Sequence, residues 1–560
     1  MSLIPHNLIE QSTQFPSITL SSRQLCDLEL LLNGGFAPLT GFMTEDEYNG
    51  VVEDMHLPNG KLFPLPIVLP ISPEQADKLK SQPKITLKDQ QGLPLAILNN
   101  QSIYKPDLIK ECEKCYGSAD DNHPYVKIVL SNPDVYYLGG ELTKIQLPPH
   151  YDFTNIRLTP EETKEYFKQQ GWQTIVGFQT RNPMHRSHFE LSKYALTQTN
   201  DPNAKLLLHP VVGVTQECDV NYHTRVRCYQ KLMAHYPEDT AILSLLPLSM
   251  RMAGPREAVW HAIIRKNYGC THFVVGRDHA GPSYKKKDGS SFYGPYDAHE
   301  LLEKHKDEIG INVIVSQMIV YVKDTQTYMR MDQVPEGAEV LNISGTEQRR
   351  LLRAGEQIPE WFSWPEIIEE LRLEFRDTHQ QGLALYFVGL SGSGKSTLAN
   401  AVASRLHEVE KSRRISLLDG DVVRLNLSKG LGFDRKDRST NVRRIGYVAS
   451  EVVKHGGIAI AANIAPYDED RLVNRELISA NGNYIEIYMK TDISVCERRD
   501  VKGLYKLARK GVIKQFTGIS DPFEEPTQSD LVLESDENKV SLEENVDKVI
   551  KFLQDKNLLL

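Results

Sequence analysis

The segment Gly389-Leu390-Ser391-Gly392-Ser393-Gly394-Lys395-Ser396 matches the phosphate-binding pattern G-x-x-x-x-G-K-[ST] at every position. An apolar run at 383–388 predicts a buried strand before it, and the residues from 396 onward predict a helix. Between a strand and a helix, the glycines let successive backbone N–H groups face a phosphate at the positive end of the helix dipole. The sequence therefore predicts a site for a nucleoside triphosphate with Mg²⁺. Lys395 would reach the outer phosphates and act in catalysis, and Ser396 would ligate the metal. The residues assigned to nucleotide binding here are Gly389, Gly392, Ser393, Gly394, Lys395, Ser396 and Thr397.

This motif begins far along a chain of 560 residues, a length that predicts roughly three to five domains. A hydrophobic content of 40% and a charged content of 25% are typical of a globular protein. The net charge of -9 argues against general nucleic-acid binding. The sequence contains neither an apolar stretch of about 18 residues nor a signal-peptide pattern at its start. With only seven cysteines, we expect a reduced, cytoplasmic protein whose partners include neither nucleic acid nor a membrane.

Composition changes along the chain and suggests an α/β protein with four parts. Residues 1–165 contain short β-like runs, such as 63–70 and 127–130, between proline and glycine turns, which indicates a β-rich domain. Residues 166–345 alternate strand-like and helix-like segments, which favours a parallel α/β domain. Residues 346–380 are predicted to form a helical connector and a polar linker. Residues 381–560 form the second α/β domain, which carries the P-loop.

Two clusters in the first α/β domain follow predicted strands. At 179–188 the chain reads Gln-Thr-Arg-Asn-Pro-Met-His-Arg-Ser-His, and we predict a helix over 183–196 with Asn182 as its N-cap and Pro183 at its first position. His185 and His188 are three residues apart, so they would share one helix face with Arg181 nearby and form a phosphate site. At 276–282 the chain reads Gly-Arg-Asp-His-Ala-Gly-Pro, and both loops would lie at the carboxyl ends of strands, where ligands bind.

Plainer interpretations of these residues stay open. The first cluster is also compatible with an asparagine cap and two incidental core histidines. An H-x-x-H pair can bind a metal, but no third ligand follows at a zinc spacing, so zinc is not expected. Cys112 and Cys115 form one C-x-x-C, and without a second pair we read them as ordinary free thiols.

The 179–188 block resembles the Q-x-R-N…H-x-x-H signature of the ATP sulfurylase (sulfate adenylyltransferase) family. The blocks at 33–43, 252–258, 276–281 and 343–346 resemble the same family in the expected order, over roughly residues 1–375. The resemblance implies an N-terminal PUA-like domain and a Rossmann-like nucleotidyltransferase domain. It also implies the roles of individual residues: Gln179, Arg181 and Ala280 for sulfate; Thr180 and Asn182 for positioning; His185 and His188 for the charge on the ATP phosphates; Gly276, Arg277, Asp278 and His279 for the nucleotide; and Ile319 near adenine.

Downstream of the P-loop, an apolar run ends in Asp419-Gly420-Asp421 with Arg424 close behind, and an arginine-rich segment follows at 435–444. A carboxylate at a strand end beside a P-loop can assist Mg²⁺ or accept a hydroxyl proton. The arginines are also compatible with an ordinary solvated helix face.

With the P-loop, D-G-D-x-x-R at 419–424, the run at 433–444, G-L-Y-K at 503–506 and F-T-G-I at 516–519, this half resembles the adenylylsulfate (APS) kinase family over roughly residues 380–560. The resemblance implies that adenylylsulfate is bound by Arg424, Phe433, Arg438, Asn441, Ile464, Lys506 and Ile519. It implies that Asp421 orients or deprotonates the 3′-hydroxyl of adenylylsulfate.

The chain departs from this second family at Ala465. Members often have Ile-Ser-Pro-Tyr where this chain has Ile464-Ala465-Pro466-Tyr467, and that serine has been assigned a phosphoserine intermediate. Alanine cannot carry phosphate, so a kinase here must transfer phosphate directly. Phe433-Asp434-Arg435 also departs from the pattern, since a small hydroxyl residue commonly follows the phenylalanine.

Together the resemblances imply a bifunctional enzyme of sulfate assimilation. It would be a transferase that makes adenylylsulfate from ATP and sulfate and then phosphorylates it to 3′-phosphoadenylylsulfate (PAPS). The alternative is a monofunctional ATP sulfurylase whose kinase-like domain is an allosteric PAPS-binding module. The intact P-loop with Asp421 and Arg424 favours catalysis. The expected partners are the small-molecule substrates and further copies of the chain, as a homo-oligomer.

Overall fold

The computed structural model describes residues 6–216, 219–374, 381–410, 412–500 and 503–559. The chain divides into two compact units, Met1–Glu374 and Phe375–Leu560. Part of the predicted linker, 375–380, lies outside the described residues, and the proposed domain limits at 165, 345 and 380 stay predictions. Across the described ranges, no helix combines the length and apolar character needed to cross a membrane.

The N-terminal part of the first unit is built around one long strand that pairs with four others. Strand β7 is antiparallel to β2, β3, β5 and β6, and β5 continues the sheet through β4 to β1. The elements are α1 (His6–Ser12), β1 (Ser17–Thr19), α2 (Ser22–Leu32), β2 (Gly41–Phe42), α3 (Glu45–Asp54), β3 (Leu69–Ile71), α4 (Pro73–Leu79), β4 (Lys84–Lys88), β5 (Pro94–Asn99), β6 (Ser102–Tyr104), α5 (Leu108–Tyr116), α6 (Pro124–Leu130) and β7 (Tyr136–Lys144).

Two β-like runs predicted in this part are wrong or too long. Residues 127–130 belong to helix α6, because His123 caps that helix: its Nδ1 accepts hydrogen bonds from the backbone N–H groups of Tyr125 and Val126 at 3.2 and 3.4 Å. Pro124 then takes the first helical position, which suits it. Of residues 63–70, only the last two lie in a strand, because Pro64 and Pro66 earlier in the run cannot donate to a ladder.

The rest of the first unit contains a doubly wound parallel sheet with the order β10-β9-β8-β11-β12, as the alternation of segments predicted. The first strand, β8, lies between β9 and β11, so the order in which strands are added to the sheet reverses at β8. The switch point of the sheet therefore lies between the loops that follow β8 and β11. The elements are a 3₁₀ turn (Thr154–Ile156), α7 (Pro160–Gln169), β8 (Ile175–Phe178), α8 (Arg186–Thr197), β9 (Lys205–Leu208), α9 (Tyr222–Met233), β10 (Ala241–Leu243), α10 (Gly254–Asn267), β11 (His272–Val275), α11 (Asp297–Lys304), α12 (Lys306–Ile309), β12 (Asn312–Val315), β13 (Ile319–Val322), β14 (Thr327–Arg330), a 3₁₀ turn (Met331–Gln333), β15 (Val340–Leu341), α13 (Gly345–Arg353) and α14 (Pro365–Glu374).

The second unit is a parallel sheet with the order β17-β18-β16-β19-β20. Its central strand β16 matches the predicted 383–388 and is buried along its whole length. The elements are β16 (Leu383–Val388), α15 (Lys395–Val409), β17 (Ile415–Asp419), α16 (Gly420–Leu425), α17 (Arg435–Lys454), β18 (Ile458–Ala462), α18 (Asp468–Ser479), β19 (Asn483–Met489), α19 (Ile493–Arg499), α20 (Leu504–Arg509), β20 (Leu531–Leu533) and α21 (Leu542–Asp555).

Candidate active sites

The P-loop of the second unit joins the central strand β16 to helix α15. Gly394 is the N-cap of α15 and has a φ of 90°, a conformation that favours glycine. The Lys395 ammonium donates to Leu390 O at 2.6 Å and to Ser393 Oγ at 3.4 Å, so it lies across the loop. Ser393 itself is fully buried and its carbonyl accepts from Ser535 Oγ at 2.7 Å. These bonds hold the loop, and Gly392, Gly394 and Lys395 line one cavity.

Asp419, the last residue of β17, contacts the serine predicted to ligate the metal. Ser396 Oγ donates to Asp419 Oδ2 at 2.6 Å, and the Asp421 backbone N–H donates to Asp419 Oδ1 at 3.0 Å. Asp419 is therefore both the N-cap of α16 and the carboxylate nearest to Ser396. The sequence indicated a carboxylate beside the P-loop but assigned a role only to Asp421. Asp421 and Arg424 lie on α16, not at the end of the strand.

A cavity of about 1020 Å³ opens beside the P-loop. Its lining contains the P-loop residues from 394 to 397 and five of the residues assigned to adenylylsulfate: Arg424, Phe433, Arg438, Asn441 and Ile464. Lys506 and Ile519 are not among the lining residues. Lys506 lies on α20 with its backbone N–H bonded to Asp500, and Ile519 packs against a small core that includes Cys496 and Tyr505. The structure thus gathers most of the predicted residues around one volume.

Two arginines shape one wall of this cavity. The Arg424 guanidinium lies 4.3 Å from the centre of the Phe433 ring. Arg438 donates to Phe433 O at 2.6 Å and to Gln515 O at 2.5 Å, and it pairs with Asp521 at 3.3 Å. These cations are held by the fold and are not a loose solvated face. Their arrangement suits an anionic ligand.

Ala465, on the loop after β18, is buried and has a φ of 43°. Its carbonyl accepts a hydrogen bond from Arg471 Nη1 at 2.7 Å. The alanine lies in the lining of the same cavity. The backbone conformation of this loop is therefore kept without a hydroxyl at residue 465.

In the first unit, the histidine cluster lies at the start of helix α8, but the predicted cap is wrong. Helix α8 begins at Arg186 and its N-cap is His185, not Asn182, so Pro183 precedes the helix. Thr180 and Asn182 instead bond to each other: Thr180 Oγ1 donates to Asn182 O at 2.9 Å, and the Asn182 N–H donates back at 3.1 Å. This local turn is made by the Thr180 hydroxyl and the Asn182 backbone, and the Asn182 carbonyl, which would have accepted the first helical bond, also accepts from Tyr229 OH at 2.7 Å.

His185 is buried and contacts two residues from the predicted connector. The Gln348 amide nitrogen lies 2.9 Å from His185 Nε2 and donates to it, and the Phe362 ring is centred 4.4 Å from the imidazole. Burial, and the neighbouring His188, lower the pKa of His185 from 6.5 to about 3, and burial also lowers the pKa of His188. Both imidazoles are therefore neutral hydrogen-bonding groups at pH 7. Gln348 could not be predicted from the sequence, because it lies 163 residues away from His185 along the chain.

Arg181 links the two predicted loops of this unit. Its guanidinium pairs with Asp219, and its other amino group lies 3.4 Å from Ser283 Oγ, just beyond the second loop. Gln216 bonds to the backbone N–H of Ser283 at 3.0 Å. Gln179 Oε1 is buried without a partner in the described structure. Asp219 and Gln216 were not predicted, because nothing in their local pattern marks them.

The second loop follows β11 at the switch point of the sheet. Asp278 and Ala280 both have left-handed φ values, 53° and 57°, so the backbone turns sharply there. Arg277 pairs with Asp278 at 3.1 Å on the surface, Gly276 O accepts from His299 Nε2 at 3.1 Å, and His279 bonds inward to His261. Ile319 is the first residue of β13. Among the described residues, no group of three or more His, Cys, Asp or Glu side chains could hold a metal ion.

These folds and sites define a nucleotide-dependent transferase with two centres, one on a doubly wound sheet and one on a P-loop sheet. Comparison with known proteins agrees part by part: residues 4–147 match the PUA-like domain, 154–374 match ATP-sulfurylase and 381–534 match adenylylsulphate kinase. The predicted fold class is confirmed.

Two relatives that align over nearly their full length are both named sulfate adenylyltransferase. A sulfate adenylyltransferase of Gibberella zeae is 46% identical over 552 residues, covering 98% of this chain and 95% of the relative. That of Yarrowia lipolytica is 47% identical over 536 residues, covering 95% and 93%. A solved structure described as a hexameric APS kinase from Thiobacillus denitrificans aligns with a TM-score of 0.74 and 32% identity, covering 99% and 96%. The chain belongs to the sulfate adenylyltransferase family of enzymes and carries an adenylylsulphate kinase domain.

Proposed function

We propose that the chain activates sulfate in two steps. The first unit joins ATP and sulfate to give adenylylsulfate and pyrophosphate, and the second uses another ATP to phosphorylate the 3′-hydroxyl of adenylylsulfate, giving PAPS. The observation that carries this proposal is the completeness of the second site. Ser396 and Asp419 are in contact beside the P-loop, and the same cavity is lined by Asp421 and by the anchored arginine Arg438.

The first reaction suits the groups around Arg181. A sulfate oxygen attacks the α-phosphorus of ATP, the bond to the β-phosphate oxygen breaks, and pyrophosphate leaves. Sulfate has no proton to lose, so the site needs no general base and works by positioning and by neutralising charge. Arg181 would supply the positive charge, held in place by Asp219. Neutral His185 and His188 would supply hydrogen bonds to the phosphates.

The second site fits a magnesium ion as its cofactor. A serine hydroxyl and a carboxylate 2.6 Å apart are hard oxygen donors of the kind that Mg²⁺ prefers. Ser396 and Asp419 would hold the ion, which neutralises the charge of the ATP phosphates when bound. Lys395 would bind the outer phosphates, and Asp421 would orient the 3′-hydroxyl or accept its proton. Because Ala465 carries no hydroxyl, the phosphate passes directly from ATP to adenylylsulfate.

The whole proposal can be tested by giving the purified chain ATP and labelled sulfate, with a pyrophosphatase to remove the first product. We expect label in both adenylylsulfate and PAPS. Arg181→Ala should make neither product from sulfate while still converting supplied adenylylsulfate to PAPS. Lys395→Ala should accumulate adenylylsulfate alone. If Arg181→Ala releases pyrophosphate at the wild-type rate with sulfate and ATP, the assignment of the first site is wrong.

We also propose that the chain assembles as a homo-oligomer. The proposal is supported by the solved structure that aligns over 99% of this chain, which is described as hexameric. Light scattering of the purified chain tests it: a mass equal to one chain of 63.6 kDa would contradict it.

A further inference from the structure

A buried arginine of the first unit bonds to the backbone of the cluster at 179–188. Arg225, on helix α9, is only 2% exposed. Its Nη1 donates to Arg181 O and to Val211 O, at 2.9 Å in each case, and its Nε donates to Val220 O at 2.9 Å. Because Arg181 lies after β8 and Val211 lies after β9, the guanidinium ties together the segments that follow two neighbouring strands.

The same helix holds the next carbonyl of the cluster. Tyr229, one helical turn after Arg225, is fully buried, and its hydroxyl donates to Asn182 O at 2.7 Å. Helix α9 therefore fixes two successive carbonyl groups, those of Arg181 and Asn182. Arg181 is the residue assigned to sulfate, so this clamp sets the backbone that carries its side chain.

These bonds leave the charge of Arg225 without a counter-ion. The partners are neutral carbonyl oxygens, and among the described residues no carboxylate forms an ion pair with Arg225. Arg251, another buried arginine of this unit, instead pairs with Asp27 at 2.6 Å. An unpaired charge is costly to bury, and at low dielectric constant its field reaches the neighbouring groups. The backbone of Arg181 is in direct contact with this charge.

The charges of the residues around the proposed sulfate site show why this cation matters. Arg181 is paired with Asp219, so these two side chains sum to zero. Burial lowers the pKa of His185 and of His188, so both imidazoles are neutral at pH 7. Without Arg225, this set of side chains would present no net positive charge to a doubly charged anion.

Two further cations of this unit also lack a carboxylate partner among the described residues, but neither bonds to the carbonyls that helix α9 holds. The Arg186 guanidinium lies 4.5 Å from the centre of the Trp364 ring. Arg265 donates to His209 O at 3.1 Å. The charge of Arg225 is distinguished from theirs by its bond to the backbone of the sulfate residue itself.

We infer that Arg225 supplies the net positive charge of the sulfate site, and that the bound oxyanion is its counter-ion. The inference deepens the proposed adenylyl transfer and rests on the sulfate site assigned there. Arg225 acts without touching the anion, because a poorly screened charge acts over a distance. At a separation of roughly 10 Å and an effective dielectric constant of about 20, one charge changes the affinity on the order of tenfold for each unit of charge on the anion.

Two tetrahedral anions of different charge separate this role from that of a purely structural clamp. Titration calorimetry measures the binding of sulfate, with two charges, and of perchlorate, with one, to the purified full chain. The titrations contain α,β-methylene-ATP, which cannot release pyrophosphate. In Arg225→Met we expect the affinity to fall about a hundredfold for sulfate and about tenfold for perchlorate. Arg225→Lys keeps the charge and should restore the wild-type ratio of the two affinities.

Three other variants serve as comparisons. Tyr229→Phe removes one bond of the clamp and no charge, so both affinities should fall by the same factor. Asp219→Asn removes the carboxylate that cancels the charge of Arg181, so the affinity for sulfate relative to perchlorate should rise about tenfold. Lys168→Met removes a charge from a side chain that is 80% exposed, where water and salt screen it, and both affinities should stay as in the wild type.

Equal losses for the two anions in Arg225→Met, or an unchanged ratio of affinities in Asp219→Asn, would overturn the inference. Circular dichroism checks the fold of each variant, and Asp219→Asn decides the question if Arg225→Met does not fold. Pyrophosphate release from sulfate and ATP is measured separately with the wild type. A wild type that binds sulfate but releases no pyrophosphate would refute the proposed reaction and leave the charge assignment of Arg225 to be decided by the titrations.

Discussion

Asp419→Asn is the substitution that most sharply separates charge from structure in the kinase site. Asp419 accepts from Ser396 Oγ at 2.6 Å and caps helix α16 through the Asp421 N–H at 3.0 Å. Asparagine has the same size and is as good an N-cap as aspartate, so the helix should keep its start. What disappears is one negative charge beside the serine proposed to bind the metal; with Oδ1 still accepting the Asp421 N–H, the amide nitrogen would donate to Ser396 Oγ instead of accepting from it.

The expected loss follows from that geometry. Removing one preorganised electrostatic group from an active site typically lowers kcat by about 10²–10³, or ~2.7–4 kcal/mol in the transition state. The stability of the unit should change by only a few tenths of a kcal/mol, whereas Asp419→Ala should cost about 1 kcal/mol more because the cap is also lost. Asp419 and Ser396 share one contact, so combining Asp419→Asn with Ser396→Ala should lose less than the sum of the single effects.

The assay measures PAPS formed from supplied adenylylsulfate and ATP, and pyrophosphate release by the first unit of the same preparation serves as an internal control. Asp547→Asn, an exposed carboxylate of the same unit that pairs with Arg405, is the matched control and should keep the wild-type rate. If Asp419→Asn phosphorylates adenylylsulfate at the wild-type rate, the assignment of Asp419 to the metal site is refuted.

Three further substitutions test other parts of the structure. Ala465→Ser adds one hydroxyl to a buried side chain in the cavity wall. Because direct transfer needs no covalent relay, the kinase rate should stay within about twofold, and mass spectrometry after incubation with ATP should find no phosphoserine; a phosphorylated serine at this position that turns over would contradict direct transfer. Gln348→Ala removes the donor to His185 and should lower kcat/KM for pyrophosphate release about tenfold, with PAPS formation as the unaffected control. His123 has its pKa lowered from 6.5 to about 4 by burial, so the neutral form stabilises the fold above pH 6.5, and this stability is lost as the pH falls through 4. His123→Asn keeps an N-cap but has no group that titrates in this range. The free energy of unfolding should therefore decrease between pH 6.5 and pH 4 by up to about 3 kcal/mol less in the variant than in the wild type. Denaturant titrations at the two pH values that give the same decrease for both proteins would contradict this prediction.

Much of the fold could be predicted because its signals are local. The strand at 383–388 is apolar throughout and is followed by a complete glycine motif, and its position in the structure matches the prediction. The start of α8 was misplaced because Asn182 and Pro183 form a good local cap signal, while the actual cap depends on His185 and on a bond from the Arg186 N–H to Phe362 O at 3.1 Å. The bond between Arg186 and Phe362 joins the cluster at 179–188 to the connector. These two segments are far apart in the sequence, so no local pattern predicts the contact.

The candidate sites also contain residues that local signals predict and residues that depend on long-range contacts. Residues within one motif, such as Lys395 and Ser396, were predicted together and lie together. Asp219 and Gln348 were missed because they act from other segments, 38 and 163 residues away from the side chains they hold. Such residues orient a neighbouring side chain, but they belong to no motif of characteristic spacing, so the sequence alone does not reveal them.

The central claim is that the second unit is a working kinase and not only a sensor of PAPS. It is tested most directly by supplying the purified full chain with adenylylsulfate and ATP and measuring 3′-phosphorylated product, in the wild type and in Lys395→Ala. We predict PAPS formation by the wild type and its loss in the variant, with pyrophosphate release by the first unit intact in both. Absence of PAPS from the wild type, together with sigmoidal, PAPS-dependent kinetics of pyrophosphate release, would contradict the claim and establish an allosteric binding module.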